Sequence, residues 1–215
     1  LGGTLAFARA PGENVADYLI TPSGLTSGNY TIAVNTGTLS ITKAALSVTA
    51  DNKTKTYGTI DPAFTASYSG FVNSETPAVL SGTLFFARAT GENVGSYLVA
   101  PVGLTSGNYA ITFNTGTLSI TKADLSVTAD AKTKTYGAVD PALTFTASGL
   151  QSSDTPATVL TGALARAAGE TVAGGPYTIA QGTLAPNGNY TISFTSNTLT
   201  IARAPLSVTA DAKTK

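Results

Sequence analysis

Leu125-Ser126-Val127-Thr128-Ala129-Asp130-Ala131-Lys132-Thr133-Lys134-Thr135-Tyr136-Gly137 is the stretch on which the reading of this chain turns. Leu125, Val127 and Ala129 point one way, and Ser126, Thr128 and Asp130 the other. That period of two belongs to a half-buried β-strand. The outward Ser and Thr favour a strand without adding charge. The stretch is also copied. Leu-Ser-Val-Thr-Ala-Asp recurs at Leu46–Asp51 and Leu206–Asp211, at spacings of 79 and 81 residues. Gly-Asn-Tyr ends at Tyr30, Tyr109 and Tyr190 with the same two spacings. Thr-Lys-Thr-Tyr-Gly stands at Thr54–Gly58 and again at Thr133–Gly137. Thr-Leu-Ser-Ile-Thr stands at Thr38–Thr42 and Thr117–Thr121, and becomes Thr-Leu-Thr-Ile-Ala at Thr198–Ala202.

A period near 80 exceeds the roughly 20–50 residues of solenoid repeats and suits a small module with its own core. Residues 1–44 then form the C-terminal half of one repeat. Residues 45–123 and 124–204 are complete repeats, and 205–215 is the first strand of the next. Alternation continues through Leu143–Ser148, Tyr109–Asn114 and Leu118–Thr121. Turn chemistry at Asp61-Pro62, Thr90-Gly91-Glu92-Asn93 and Ser106-Gly107-Asn108 separates the strands. About six or seven short strands per repeat are expected. Helix is expected only as a turn or two at Ser74–Leu80 and Ser153–Leu160, where a polar cap, an acid and a proline follow one another. Between Leu84 and Arg88 the chain has three residues, and between Leu164 and Arg166 it has one. Loss of two keeps strand faces in phase, and the following loop regains two, as a hairpin with a displaced tip would.

The joints are short. Inward positions are odd at Leu39 and Ile41 but even at Leu46 and Val48, so the strand must leave its sheet between repeats. No Gly/Ser linker intervenes, and Pro205 stiffens the third joint. Semi-rigid joints and an extended rod of modules are the expectation.

Composition narrows the chemistry. The 215 residues include 12 Lys+Arg and 12 Asp+Glu, only 11% charged, with no His, Cys, Met or Trp. Without Cys there is no disulfide framework or thiolate metal site, and without His no imidazole base or triad. Balanced charge without a basic cluster argues against nucleic acid as a partner. An apolar fraction of 42% supports packed cores. No window is long and apolar enough for a membrane span in this segment. The start, Leu1-Gly2-Gly3-Thr4, has neither an initiator Met nor a signal peptide, and reads as the interior of something longer.

The pattern Leu125–Gly137, then Asp140-Pro141-Ala142-Leu143, Gly188-Asn189-Tyr190 and Leu199-Thr200-Ile201, resembles the MBG repeats of the YG-motif type. These occur in tandem in very large bacterial surface and secreted adhesins, including filamentous-haemagglutinin-like and two-partner-secretion biofilm adhesins. The resemblance covers essentially the whole chain. It implies an all-β fold of tandem small modules, immunoglobulin-like or β-grasp-like. With only a short helix available at Ser153–Leu160, the β-sandwich-like form is favoured. It further implies a structural stalk at the bacterial cell surface or outside the cell. Neighbouring repeats of the same chain are the first partners. Matrix polysaccharide or like chains joined by strand exchange, with Leu206–Asp211 completing another chain's repeat, are the alternatives.

No catalytic residue, metal-ligand set or cofactor site emerges. Tyr57 and Tyr136, Tyr97 and Tyr177, and Tyr109 and Tyr190 recur at equivalent places and read as structural rings with capping hydroxyls rather than a sugar platform. Tyr68, Phe85 and Phe86 break the repeat and are the ligand-binding candidates, set against simple repacking. The Lys-x-Lys pairs, Lys53/Lys55, Lys132/Lys134 and Lys213/Lys215, read as a solvated strand edge. Glu13, Glu92 and Glu170 are expected to pair with Arg9, Arg88 and Arg166 across a hairpin. The scattered acids Asp51, Asp61, Asp130 and Asp140 fall short of the six to eight oxygens of a calcium site. A Lys132–Asn189 isopeptide bond is conceivable without being required by spacing.

Overall fold

The computed structural model describes residues 1–215, and strands dominate it. Two compact units emerge: Leu1–Lys53, Ala63–Thr90 and Tyr97–Leu118 in one, Thr54–Pro62, Gly91–Ser96 and Ser119–Lys215 in the other.

The first unit opens with β1 (Gly2–Arg9), β2 (Ala16–Thr26) and β3 (Gly37–Ile41), an antiparallel sheet in that order. β4 (Ala44–Ala50) follows and is the middle strand of a second sheet. β5 (Lys53–Thr56) comes next along the chain; β6 (Ala66–Ser69) then pairs antiparallel with β4. A long ribbon is made by β7 (Ser81–Arg88) and β8 (Gly95–Thr105), and β9 (Tyr109–Asn114) lies parallel to β4 on its other side. β10 (Gly116–Thr121), like β5, is a strand along which the chain passes from one unit to the other.

The second unit repeats this plan. β11 (Ala123–Ala129) is flanked by β13 (Phe145–Ser148), antiparallel, and by β18 (Tyr190–Thr195), parallel. A second sheet runs β12 (Lys132–Thr135), β19 (Asn197–Ala202), β16 (Tyr177–Ala180) and β15 (Ala165–Arg166). β14 (Leu160–Thr161) and β17 (Ala185–Pro186) make a small separate ladder. The two main sheets share one long parallel seam. β11 faces β18 with Leu125 opposite Ile192, and β12 faces β19 with Lys132 opposite Leu199, so the register is unbroken.

Burial follows the alternation. Leu125 and Val127 are wholly buried, with Ala129 almost so, while Asp124, Ser126 and Thr128 are exposed. Leu125 and Val127 pack with Val159, Leu160, Leu184 and Tyr190 in one core. Ala129, Tyr177, Ile179, Leu199 and Ile201 form the other. Burial of each Leu, Val or Ile contributes about 1.5–3 kcal/mol. The chain is therefore all-β, in tandem modules. The change of phase at the joints is real: β3 and β4 lie in different sheets, as do β10 and β11.

Helix shrinks to the proline turns. Pro156–Val159 is α1 and buries Val159 alone, and the matching turn Pro77–Val79 is 3₁₀. The caps are Thr155 and Thr76, two residues beyond the serines expected to begin the helices. Strands number seven in the first full repeat and nine in the second, where the long ribbon has broken into pieces of two to four residues.

One expectation is overturned. The Lys53/Lys55 and Lys132/Lys134 pairs are not a solvated edge, because Lys55 and Lys134 point inward and are buried. Alternation with Thr puts the two lysines of a pair on one face, and that face is the inward one, where Asp61 and Glu92 meet Lys55 and Asp140 and Glu170 meet Lys134.

Candidate functional site

Two of the three joints between repeats grow out of the Gly-Asn-Tyr corner. In the first unit the Ser106 hydroxyl accepts the backbone N–H groups of Asn108 and Tyr109, both at 3.1 Å. That tight corner pushes the Asn108 side chain outward. Its Oδ1 accepts the Val15 N–H at 3.0 Å, and its Nδ2 donates to Asn14 Oδ1 at 2.9 Å. The Asn108 carbonyl accepts the Ala44 N–H at 3.0 Å, closing the strand crossover. In the second unit Asn189 makes the same set. Its Oδ1 accepts the Val94 N–H at 2.9 Å, its Nδ2 donates to Asn93 Oδ1 at 2.9 Å, and its carbonyl accepts the Ala123 N–H at 3.0 Å. Each unit thus holds one such joint, in which one repeat's corner asparagine seats on the Asn-Val of the preceding repeat's hairpin loop.

A second contact backs the joint in the second unit. The buried Tyr190 donates its hydroxyl to Asp154 at 2.5 Å and accepts the Gln151 N–H at 2.8 Å. Tyr57, from the preceding repeat, donates to the same Asp154 oxygen at 3.0 Å. The two rings meet edge-on, centroids 5.4 Å apart, a geometry worth about 0.5–1.5 kcal/mol beyond burial. Burial and the Asp154 carboxylate push the Tyr190 phenol up to about 12. Gly58 follows Tyr57 at φ +81°, and a Cβ there would lie 2.3 Å from the Gln151 side chain. The Tyr-Gly pair is therefore a docking element: the ring fills the next repeat's pocket and the glycine lets the backbone approach. In the first unit Tyr109 is buried likewise, donating to Glu75 and accepting the Val72 N–H at 3.1 Å.

The buried lysines sit beside these loops. Lys134 bonds Asp140 at 2.6 Å and Glu170 at 2.5 Å, and Arg166 grips the same two carboxylates from the other side. The Arg166 and Lys134 hydrogen bonds hold Asp140 below its ordinary value, and those of Lys134 and Arg166 lower Glu170 likewise. The Asp140 and Glu170 hydrogen bonds raise Lys134. Lys55 bonds Asp61 at 2.6 Å and Glu92 at 2.5 Å. Burial alone would lower it, but the two carboxylates outweigh burial and raise it. Arg9 and Glu13 pair at 2.5 Å, and Arg166 pairs with Glu170 in the same i, i+4 spacing of its own hairpin.

The remaining tyrosines divide. Tyr177 is buried, with its hydroxyl on the Thr171 carbonyl at 2.8 Å and Arg166 over its ring at 5.7 Å. Tyr97 carries Arg88 over its ring at 5.0 Å. Tyr136, the counterpart of Tyr57, is 54% exposed. Of the ligand candidates, Tyr68 leans on Phe71 and Phe86 on Phe64, whereas Phe85 stands 61% exposed. Lys132 and Asn189 are not joined: Lys132 donates to Thr144 and Asn189 serves the joint.

The corner asparagines were missed in the sequence. Gly-Asn reads as a turn, and the only available signal was its recurrence at the repeat spacing beside the equally recurrent Asn-Val.

Alternating strands, matched modules and a copied joint define a tandem β-repeat protein. More narrowly, the chain belongs to the MBG domain family, YGX type, whose model matches residues 1–40, 46–119 and 125–200. Such domains are repeat modules of surface proteins. The Tyr57-Gly58 and Tyr136-Gly137 pairs are its YG elements. Comparison with curated proteins gives no match. No helix is long and apolar enough to cross a membrane.

Proposed function

We propose that this chain is a length of structural stalk in a bacterial extracellular adhesin, placed at the cell surface or in the biofilm matrix, and that it catalyses nothing. The observation that carries this reading is the joint, where the same asparagine bonds seat one repeat on the next in both units. A load-bearing role also suits the strand order. The first and last strands of a repeat lie side by side and parallel, six residue pairs in one sheet and four in the next. Tension on the two ends of a repeat therefore loads this ladder lengthwise, and its hydrogen bonds resist together rather than one at a time. Single-molecule stretching of the chain should give equal unfolding steps of about 80 residues, roughly 270 Å of extended chain each. One event for the whole chain overturns the reading.

A second reading, a module for matrix polysaccharide, rests on Phe85. It is exposed on β7 opposite Val102, with Leu98 exposed on the same face of β8. Binding of acidic or neutral polysaccharide that Phe85→Ala abolishes would favour it.

A further inference from the structure

We propose that Asn187 is a site of spontaneous deamidation, and that the isoaspartyl linkage formed there unlocks the joint held by Asn189. The proposal goes beyond the stalk reading and does not depend on it. The corner has two forms in the full repeats. In residues 45–123 it is Ser106-Gly107-Asn108-Tyr109, and the Ser106 hydroxyl accepts the Asn108 N–H at 3.1 Å. In residues 124–204 Asn187 stands in the place of that serine, and its Oδ1 accepts the Asn189 N–H at 3.0 Å. The exchange keeps the turn, because Ser and Asn side chains both bond a backbone N–H two residues on. It also creates Asn187-Gly188, the one Asn-Gly pair in the sequence.

The local geometry suits attack of the Gly188 nitrogen on the Asn187 side-chain carbon. The ring closed by the Asn187–Asn189 hydrogen bond contains both atoms, so they are kept near each other. The same bond draws electrons toward Oδ1 and makes Cγ more electrophilic. Gly188 has no side chain to hinder the approach, and a Cβ there would meet nothing within 4 Å. Its N–H donates to no protein group. Asn187 and Gly188 are exposed, and with Asn93, Val94 and Asn189 they line an open hollow that admits water. The Gly188 nitrogen loses its proton and bonds to Cγ, and Nδ2 leaves as ammonia. Water then opens the cyclic imide at either carbonyl, so that one ammonia is released for each water consumed. Opening at Cγ leaves an ordinary aspartyl residue. Opening at the main-chain carbonyl leaves an isoaspartyl residue, whose backbone runs through Cβ and Cγ and is one atom longer.

That extra atom falls between fixed points. The Asn187 N–H is bonded to the Val159 carbonyl at 2.8 Å, and Tyr190 is buried with its hydroxyl on Asp154. Gly188 and Asn189 must take up the slack, which carries the Asn189 side chain off the Val94 N–H and Asn93. The joint at Asn108 has a serine corner and is exempt.

Ageing the 215-residue chain at mildly acid and mildly alkaline pH tests this, read by mass spectrometry of its peptides and by hydrogen exchange, with Asn187→Ser as the variant. The wild-type chain is expected to gain about one mass unit on the peptide that carries residues 187 and 188. The gain should be faster at alkaline pH, because the Gly188 nitrogen must lose its proton. In the aged chain the Val94 amide should lose its protection from exchange, while Leu125 and Val127 keep theirs. Asn187→Ser, which installs the corner of the other full repeat, should show neither change on ageing. No mass gain at position 187, isoaspartate there with Val94 as protected as in the fresh chain, or the same loss at Val94 in aged Asn187→Ser overturns the proposal. None of these outcomes bears on the stretching experiment.

Discussion

Lys134 shows how a single residue can be read correctly in type and wrongly in place. Its Asp140 and Glu170 partners lie 6 and 36 residues away, and only the fold brings them to 2.6 and 2.5 Å. The Arg166–Glu170 pair, four residues apart, was legible because a hairpin spacing is local. The consequence is a pH window. Asp140 and Glu170 have folded values below their ordinary ones, so their contribution is complete above the usual carboxylate range and is lost as pH falls through the lowered values. Lys134 is raised, so its contribution is complete below about 10.4 and is lost as pH climbs through the raised value. The melting temperature should be flat from about pH 5 to 9 and fall on both sides. In Lys134→Ala the alkaline fall should lessen, which a calorimetric pH series would show. An alkaline limb identical to the wild type would assign that limb to other groups.

At the scale of elements, alternation revealed the strands and their buried faces, and Leu125–Ala129 behaves as its pattern requires. The direction of pairing was hidden, because parallel and antiparallel neighbours demand the same period of two. The ribbon of β7 and β8 shows a further constraint that hydropathy does not carry. Its register shifts between Gly82, which lies opposite Leu104, and Phe85, and there Gly82 and Gly103 take φ +87° and +95°. A Cβ on Gly103 would lie 2.2 Å from the Thr83 carbonyl. Gly103→Ala should therefore destabilise the first unit by about 1–3 kcal/mol, read from its denaturation midpoint. A neutral result would mean that the ribbon can shift its register freely.

For the molecule as a whole, the tandem copying was legible because it leaves fixed spacings, whereas the joint was not, since Asn108 and Asn189 look like ordinary turn residues. Asn189→Ala removes the acceptor of the Val94 N–H and the bond to Asn93. It should weaken coupling across that joint by about 1–3 kcal/mol while leaving the cores intact. Hydrogen exchange at the Val94 amide reads this directly: faster exchange there, with Leu125 and Val127 still protected, is the expected result. Unchanged protection at Val94 would remove Asn189 from the joint. The loop Gly91–Val94 has a wider consequence. Glu92 holds its own repeat's Lys55, while the next two residues, Asn93 and Val94, receive the following repeat. Each repeat thus carries both a socket, Asn93-Val94, and a plug, Asn108, and the pair recurs with the repeat spacing of about 80 residues. In-frame gain or loss of one such segment by recombination regenerates a working joint at once. The length of the protein can therefore drift in whole repeats without any new interface having to evolve.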